Sequence, residues 1–159
     1  MTGPKTKSKS IDNVDINVLR AWLSVVKTYH QCNQALAGEL ADVGLTTAQY
    51  EILSHLQRHP GMTQQELASR CFAAKSGISM SLKKMELDRW VKRLPDPADA
   101  RQKRLHLTTL GLTQATRSLV VQNLVISTMA KQLKTAEIHE LTDVMYRAQD
   151  ALSTLKSKP

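Results

Sequence analysis

"PDPADARQKRLHLTTLG", residues 95–111, sets two prolines and two aspartates ahead of a basic run that alternates into leucines. Pro95 and Pro97 exclude helix here, because proline lacks an N–H and its ring fixes φ. On either side, "WVKRL" (90–94) and "RQKRLHL" (101–107) have β character, and turn formers between two strand-like runs predict a hairpin. In that hairpin Asp96 and Asp99 shape a rigid turn, Arg101 sits near the tip, and Lys103 and Arg104 line the flank. Two carboxylates amid five basic residues read as paired, with Asp99 orienting Arg101, rather than as a metal or catalytic site. An arginine on a short hairpin suits a narrow DNA minor groove, where the negative potential is enhanced.

Immediately before the hairpin, apolar residues Ile78, Leu82 and Met85 form one stripe of a helix predicted from Lys75 or Ser76 to about Arg89. Ser76, Met80 and Lys83 fall opposite that stripe, flanked by Ser79 and Lys84. Small hydroxyls and lysines near a helix N-terminus suit a major groove, since the helix approaches closely and its positive dipole end faces phosphate. Met80 offers an apolar contact to a thymine methyl. Lys75, Ser76, Ser79, Met80, Lys83, Lys84, Arg101, Lys103 and Arg104 are therefore the candidate DNA-binding residues, with Asp96 and Asp99 as wing-shaping residues. The plain alternative for each charge is a solvated surface.

Two short helices precede this one. Thr46 with Gln49, and Thr63 with Glu66, each form a capping box, in which a hydroxyl and a longer side chain satisfy each other's backbone N–H groups. Pro60 and Gly61 end the first of the two. Two capped helices followed by a longer amphipathic one make a helix-turn-helix unit. Further out, apolar residues at helical spacing predict one helix from Ile16 to Leu40, ending before Gly44. A second begins at Thr108 and runs to Leu133, and a third covers "EIHELTDVMYRAQDALSTL" (137–155). The expected fold is thus mainly α with a small β-hairpin: a winged helix-turn-helix lobe (46–108), long helical dimerisation regions (11–44 and 109–155), and a flexible basic tail (1–10) ahead of a single domain (11–159).

The charge is unevenly placed. Of the formal net +8, residues 75–104 carry +5, with nine basic and four acidic side chains, whereas residues 11–74 sum to −2. A basic block inside a folded region is an electrostatic footprint for phosphate. Only six residues are aromatic, which argues against an RNA-binding stacking platform. No apolar run approaches a membrane span, and "MTGPKTKSKS" lacks the apolar core of a signal peptide, so a cytoplasmic protein with no membrane partner is expected. Cys32 and Cys71 show no CxxC spacing and read as buried free thiols, with a redox switch at Cys32 as the alternative. The chain has no phosphate loop, HExxH or nucleophile elbow, so an enzyme is not expected and no cofactor is implied.

The stretch from Glu66 to Gly111 resembles the winged helix-turn-helix of the MarR (multiple antibiotic resistance regulator) family of bacterial transcription regulators. The strongest match is Asp99-x-Arg101 followed by Leu107-Thr108-x-x-Gly111, supported by "GLTTAQYEIL" (44–53) and the long outer helices. The resemblance implies a homodimer whose first and last helices interlock, recognition helices in successive major grooves of an operator, and wings in the flanking minor grooves. By position, Ser76 and Ser79 fall on the family's DNA contacts and Arg101 on its wing-tip arginine. Ala100 stands where an arginine is common. Arg89 replaces the glycine that usually ends the recognition helix, and Trp90 a smaller apolar residue, so a different turn into the wing is expected.

Members of the family are often repressors released by small anionic aromatic effectors. Trp22, Tyr29, His30 and His55 are candidates to line such a pocket, although each is also an ordinary core or interface residue. Glu51, His55 and His59 share a helix face and offer a zinc alternative, with a solvated role for His59 as the plainer reading. The expected function is a sequence-specific, ligand-responsive repressor binding a pseudo-palindromic operator as a homodimer. The rivals are a winged-helix adaptor for protein partners and a metal- or redox-responsive regulator of the same fold.

Overall fold

A computed structural model describes residues 14–72, 74–99 and 101–157. The expected basic tail (1–10) and Ala100 lie outside the described residues. The elements in chain order are α1 (Ile16–Asp42), α2 (Thr47–Arg58), α3 (Gln64–Arg70), α4 (Lys75–Leu87), β1 (Val91–Pro95), β2 (Lys103–Leu107), α5 (Thr109–Ala130), α6 (Thr135–Ser153) and a closing 3-10 turn, Thr154–Ser157. This is the helical architecture with a two-stranded hairpin that the hydrophobic periodicity predicts.

The chain divides into two compact units, Met1–Gln34 and Ala35–Pro159. In the first, the described residues belong almost wholly to α1, and Val18, Trp22, Val25 and Tyr29 are exposed. The second contains the core. There α2 packs on α4, α5, α3 and β2, and the fully buried side chains include Ile52, Leu53, Leu56, Leu67, Ile78, Leu82, Met85 and Leu105. Each apolar stripe of the helix-turn-helix therefore meets another stripe of the same chain, as amphipathic helices require.

Local chemistry sets the boundaries. Both threonine capping boxes form: the Gln49 N–H donates to Thr46 Oγ1 at 3.2 Å and the Thr46 N–H to Gln49 Oε1 at 2.9 Å. Thr63 and Glu66 repeat the exchange at 3.2 and 2.7 Å. At the end of α1, Gly44 takes φ +74°, while the Leu45 N–H donates to the Leu40 carbonyl and the Gly44 N–H to that of Ala41. This is the paired-bond terminator that a left-handed residue permits. α4 ends the same way at Leu87, slightly earlier than the sequence suggests, with the Trp90 N–H donating to the Met85 carbonyl and Arg89 at φ +59°.

The strands pair antiparallel, Val91 opposite Leu107 and Pro95 opposite Lys103. Both run slightly differently from expectation, because Arg101 and Gln102 belong to the turn, closed by the Gln102 N–H on the Asp99 carbonyl at 2.9 Å. Pro95 sits at the end of β1, where the missing N–H is tolerated. On its other edge β2 bonds to Gly61 and Met62: the Gly61 N–H donates to the Leu105 carbonyl and the Leu105 N–H to that of Met62. The helix-turn-helix and the hairpin are thereby stitched together. The two C-terminal helices also start and stop a few residues from their expected limits, since α5 ends at Ala130 and α6 begins at Thr135.

Candidate nucleic-acid interface

α4 buries Ile78, Leu82 and Met85 and turns the opposite side outward. Lys75, Ser76, Met80, Lys83 and Lys84 are exposed, Met80 to 73%, and Ser79 is half-buried. Met80 thus gives this face an open apolar side chain between serines and lysines. α2, α3 and α5 each have a threonine N-cap, but Ala74 gives α4 no side-chain cap. Ala74 therefore offers the first N–H groups of α4 no side-chain acceptor, next to Lys75 and Ser76. Lys84 pairs with Asp88 at 3.0 Å along the helix, an exposed contact that holds it weakly.

The wing is held from within by its carboxylates. Asp96 Oδ1 accepts from the Ala98 N–H at 2.8 Å and Asp99 Oδ1 from the Arg101 N–H at 3.0 Å, two successive side-chain-to-backbone turns. Asp99 thus orients Arg101 through its backbone, whereas the expectation was a pairing of side chains. Arg101 itself is exposed at the turn, beside the exposed Lys103.

Arg104, expected to face DNA, also makes bonds within the wing. Its Nε donates to Asp96 Oδ2 at 2.5 Å, and its Nη1 reaches the Gly61 carbonyl at 3.1 Å and Glu66 at 3.4 Å. These bonds direct its guanidinium into the wing, where it joins the base of the turn to the start of α3. The Ala98 N–H first, and then Arg104, hold the Asp96 carboxyl below the ordinary aspartate range. Glu66 is likewise lowered, chiefly by the Thr63 N–H and hydroxyl.

Sequence reading missed a second brace. Arg93 on β1 donates through Nε to Glu86 of α4 at 2.5 Å and through Nη2 to Gln64 Oε1 at 3.0 Å. Gln64 Nε2 then donates to Ser79 Oγ at 3.2 Å. Four side chains from β1, α4 and α3 form one chain ending on the outer flank of α4. Gln64 gave no signal beyond its place after an N-cap threonine. Phe72, 86% exposed in the turn before α4, and the exposed Leu87 were also passed over.

A profile of the MarR family matches residues 43–102. An HTH-type transcriptional regulator of Bacillus cereus is 31% identical over 101 residues, a match covering 64% of this chain and 67% of that protein. The chain belongs to the MarR family. Its fold agrees: a MarR-like transcription regulator from Bacillus cereus has a TM-score of 0.73 at 16% identity, covering 87% of this chain and 99% of that one. A cysteine-to-serine mutant of MarR from E. coli, solved in complex with operator DNA, has a TM-score of 0.70 at 20% identity, covering 86% and 98%. This protein is a winged-helix transcription regulator.

The MarR-like signature Leu107-Thr108-x-x-Gly111 has a visible cause. Thr108 Oγ1 donates to the Arg89 carbonyl at 2.6 Å and accepts from the Gly111 N–H at 3.1 Å, so one hydroxyl caps α5 and ties it to the end of α4. A Cβ on Gly111 would overlap the Trp90 carbonyl oxygen. Glycine is required there for close approach of two backbones. Arg89 adopts the left-handed geometry at α4's end that glycine favours, so the turn into the wing keeps its paired-bond form despite the substitution.

The remaining candidates belong to both units. Trp22, Tyr29 and His30 are exposed on the first unit's part of α1, and His55 is half-buried on α2 in the second unit. Burial first, opposed by Glu51, lowers the pKa of His55. Among the described residues no three His, Cys, Asp or Glu side chains gather to hold a metal ion, so Glu51, His55 and His59 form no such cluster. Cys32 and Cys71 are free and half-buried, less enclosed than expected. Burial and then Glu51 push the Cys71 thiol up to about 12, which keeps it protonated and unreactive. No helix among the described residues is long and apolar enough to cross a membrane.

Proposed function

We propose that this MarR-family chain acts in the cytoplasm as a homodimer that binds a pseudo-palindromic duplex operator and represses transcription until an effector releases it. The observation that carries the DNA-binding part is the outward face of α4: an uncapped N-terminus, exposed Lys75, Ser76, Met80, Lys83 and Lys84, and an exposed Arg101 on the adjoining wing. α4 enters the major groove, and Arg101 and Lys103 follow the minor groove and backbone. Arg104 braces the wing. No catalysis is involved.

The dimer part is carried by α6, which buries none of its residues although Ile138, Leu141, Val144 and Leu152 recur along it, and by the exposed apolar residues of α1. Such faces are covered by a second molecule in a stable protein. Two-fold symmetry then places half-sites about 10 bp apart. Effector response follows a shift in the spacing of the two recognition helices.

The test is selection of bound duplexes from a random pool by the purified protein at two salt concentrations. Enrichment of a pseudo-palindrome supports the proposal and supplies the operator for screening anionic aromatic compounds as releasing ligands. Binding without an enriched motif points to a non-specific architectural role. Absence of binding favours a protein-binding adaptor.

A further inference from the structure

Ser79 is half-buried at an open cleft between α3 and α4, lined with Gln64, Gln65, Ala68, Ser69 and Lys75. What its hydroxyl offers a base depends on Gln64. Arg93 has only donors, so the oxygen of the Gln64 amide must face it and the NH2 must face Ser79. The amide orientation is dictated by chemistry. Ser79 Oγ is consequently the acceptor in that bond, and its own proton points elsewhere. Three serines in other helices return that proton to a carbonyl one turn back, Ser69 to Glu66 at 2.8 Å, Ser118 to Ala115 at 2.9 Å and Ser127 to Leu124 at 3.0 Å. Among the described residues Ser79 has no such bond.

We propose that Gln64, held by Arg93, biases the hydrogen-bond polarity of Ser79, so that the Ser79 hydroxyl turns its proton to an acceptor on a base edge and disfavours cytosine at the position it reads. This inference rests on α4 being the helix that reads the operator. In the major groove guanine and thymine present only acceptors to hydrogen-bonding side chains, cytosine only its amino donor, and adenine both. With one lone pair taken by Gln64 and its proton free, the hydroxyl favours the acceptor edges of guanine and thymine over the amino donor of cytosine, which only the remaining lone pair can meet. Gln64 is a positioning residue, acting through Ser79. Glu86, which holds the far side of Arg93, belongs to the same device.

Replacing Gln64 by glutamate reverses the polarity with little change of shape. A carboxylate accepts from Arg93 and from Ser79 together, which turns the Ser79 oxygen into an acceptor toward the groove. The fold tolerates the change, since an acid in the first turn of α3 is favoured by the helix dipole. Added negative charge near DNA weakens binding generally, so Gln65→Glu, one residue along the same helix, controls for charge alone.

The experiment is duplex selection from a random pool with the full chain and with Gln64→Glu, Gln65→Glu and Ser79→Ala. The wild type is expected to disfavour cytosine at one position of each half-site. Gln64→Glu should shift that position toward cytosine or adenine by about threefold to tenfold, the range of one neutral hydrogen bond. Ser79→Ala should flatten the preference there, and Gln65→Glu should lower affinity with an unchanged motif. A Gln64→Glu motif identical to the wild type's at every position overturns the inference and leaves DNA reading intact. A wild type that enriches no motif overturns the proposed function, and this inference with it.

Discussion

The helix-turn-helix lobe and the outer helices carry the same apolar periodicity, yet the lobe uses it up within the chain, whereas α6 and the first part of α1 leave theirs exposed. Ile52, Leu67, Ile78, Leu82 and Leu105 are fully buried among α2, α3, α4 and the wing. In α6 no residue is buried, and Trp22 on α1 is 59% exposed. A hydrophobic stripe in a sequence therefore specifies a helix face to be covered without saying which chain covers it. The lobe is specified by local signals and packing within the chain, whereas α6 and the first part of α1 are, on the proposed function, half of an interface.

The largest expected effect tests the self-contained side of this contrast. Leu82→Ala leaves a cavity in the lobe and should destabilise it by about 2–5 kcal/mol, read by denaturant unfolding. Trp22→Ala should act differently, raising the dimer dissociation constant by roughly 2 kcal/mol, about thirtyfold, with little loss of lobe structure. Sedimentation across concentrations separates the two; a core-like loss of folding in Trp22→Ala would break the contrast. Next, Gly111→Ala forces a methyl group into the Trp90 carbonyl and should cost about 1–3 kcal/mol in thermal unfolding. Arg101→Ala should weaken operator binding about tenfold while leaving stability unchanged, and unchanged affinity removes the wing from DNA reading.

Smaller effects sharpen the picture of the lobe. Arg89→Gly relieves a left-handed arginine and should stabilise the chain by about 0.5–1 kcal/mol, visible as a higher Tm. The wing brace is pH-dependent. Because the folded state lowers the Asp96 pKa below its ordinary 3.8, stabilisation is full above that value. It falls away as pH drops from 3.8 through the lower folded-state value. Asp96→Asn should remove that part of the acid transition, measured by exchange protection of the wing amides.

What the sequence reveals follows the range of the interaction. The capping boxes at Thr46 and Thr63 are legible because both partners lie within one helical turn. The hairpin is legible from its prolines, and the outward face of α4 from simple helical geometry. The bracing bonds of Arg104 to Gly61 and Glu66 are not legible because these partners lie 43 and 38 residues away in sequence. The same distance hides Gln64, 29 residues from Arg93 and 15 from Ser79. Arg89 teaches the converse lesson: the Trp90 N–H, the Thr108 hydroxyl and the close packing at Gly111 together hold a left-handed geometry that arginine disfavours, which its own residue type does not announce.

The most direct test of the account is sedimentation velocity of the purified chain with a selected duplex, measuring how many chains each duplex carries. The account predicts a dimer at micromolar concentration and two chains per duplex, bound together. A chain that stays monomeric and binds one per duplex would contradict it, because the exposed faces of α1 and α6 would then require another explanation.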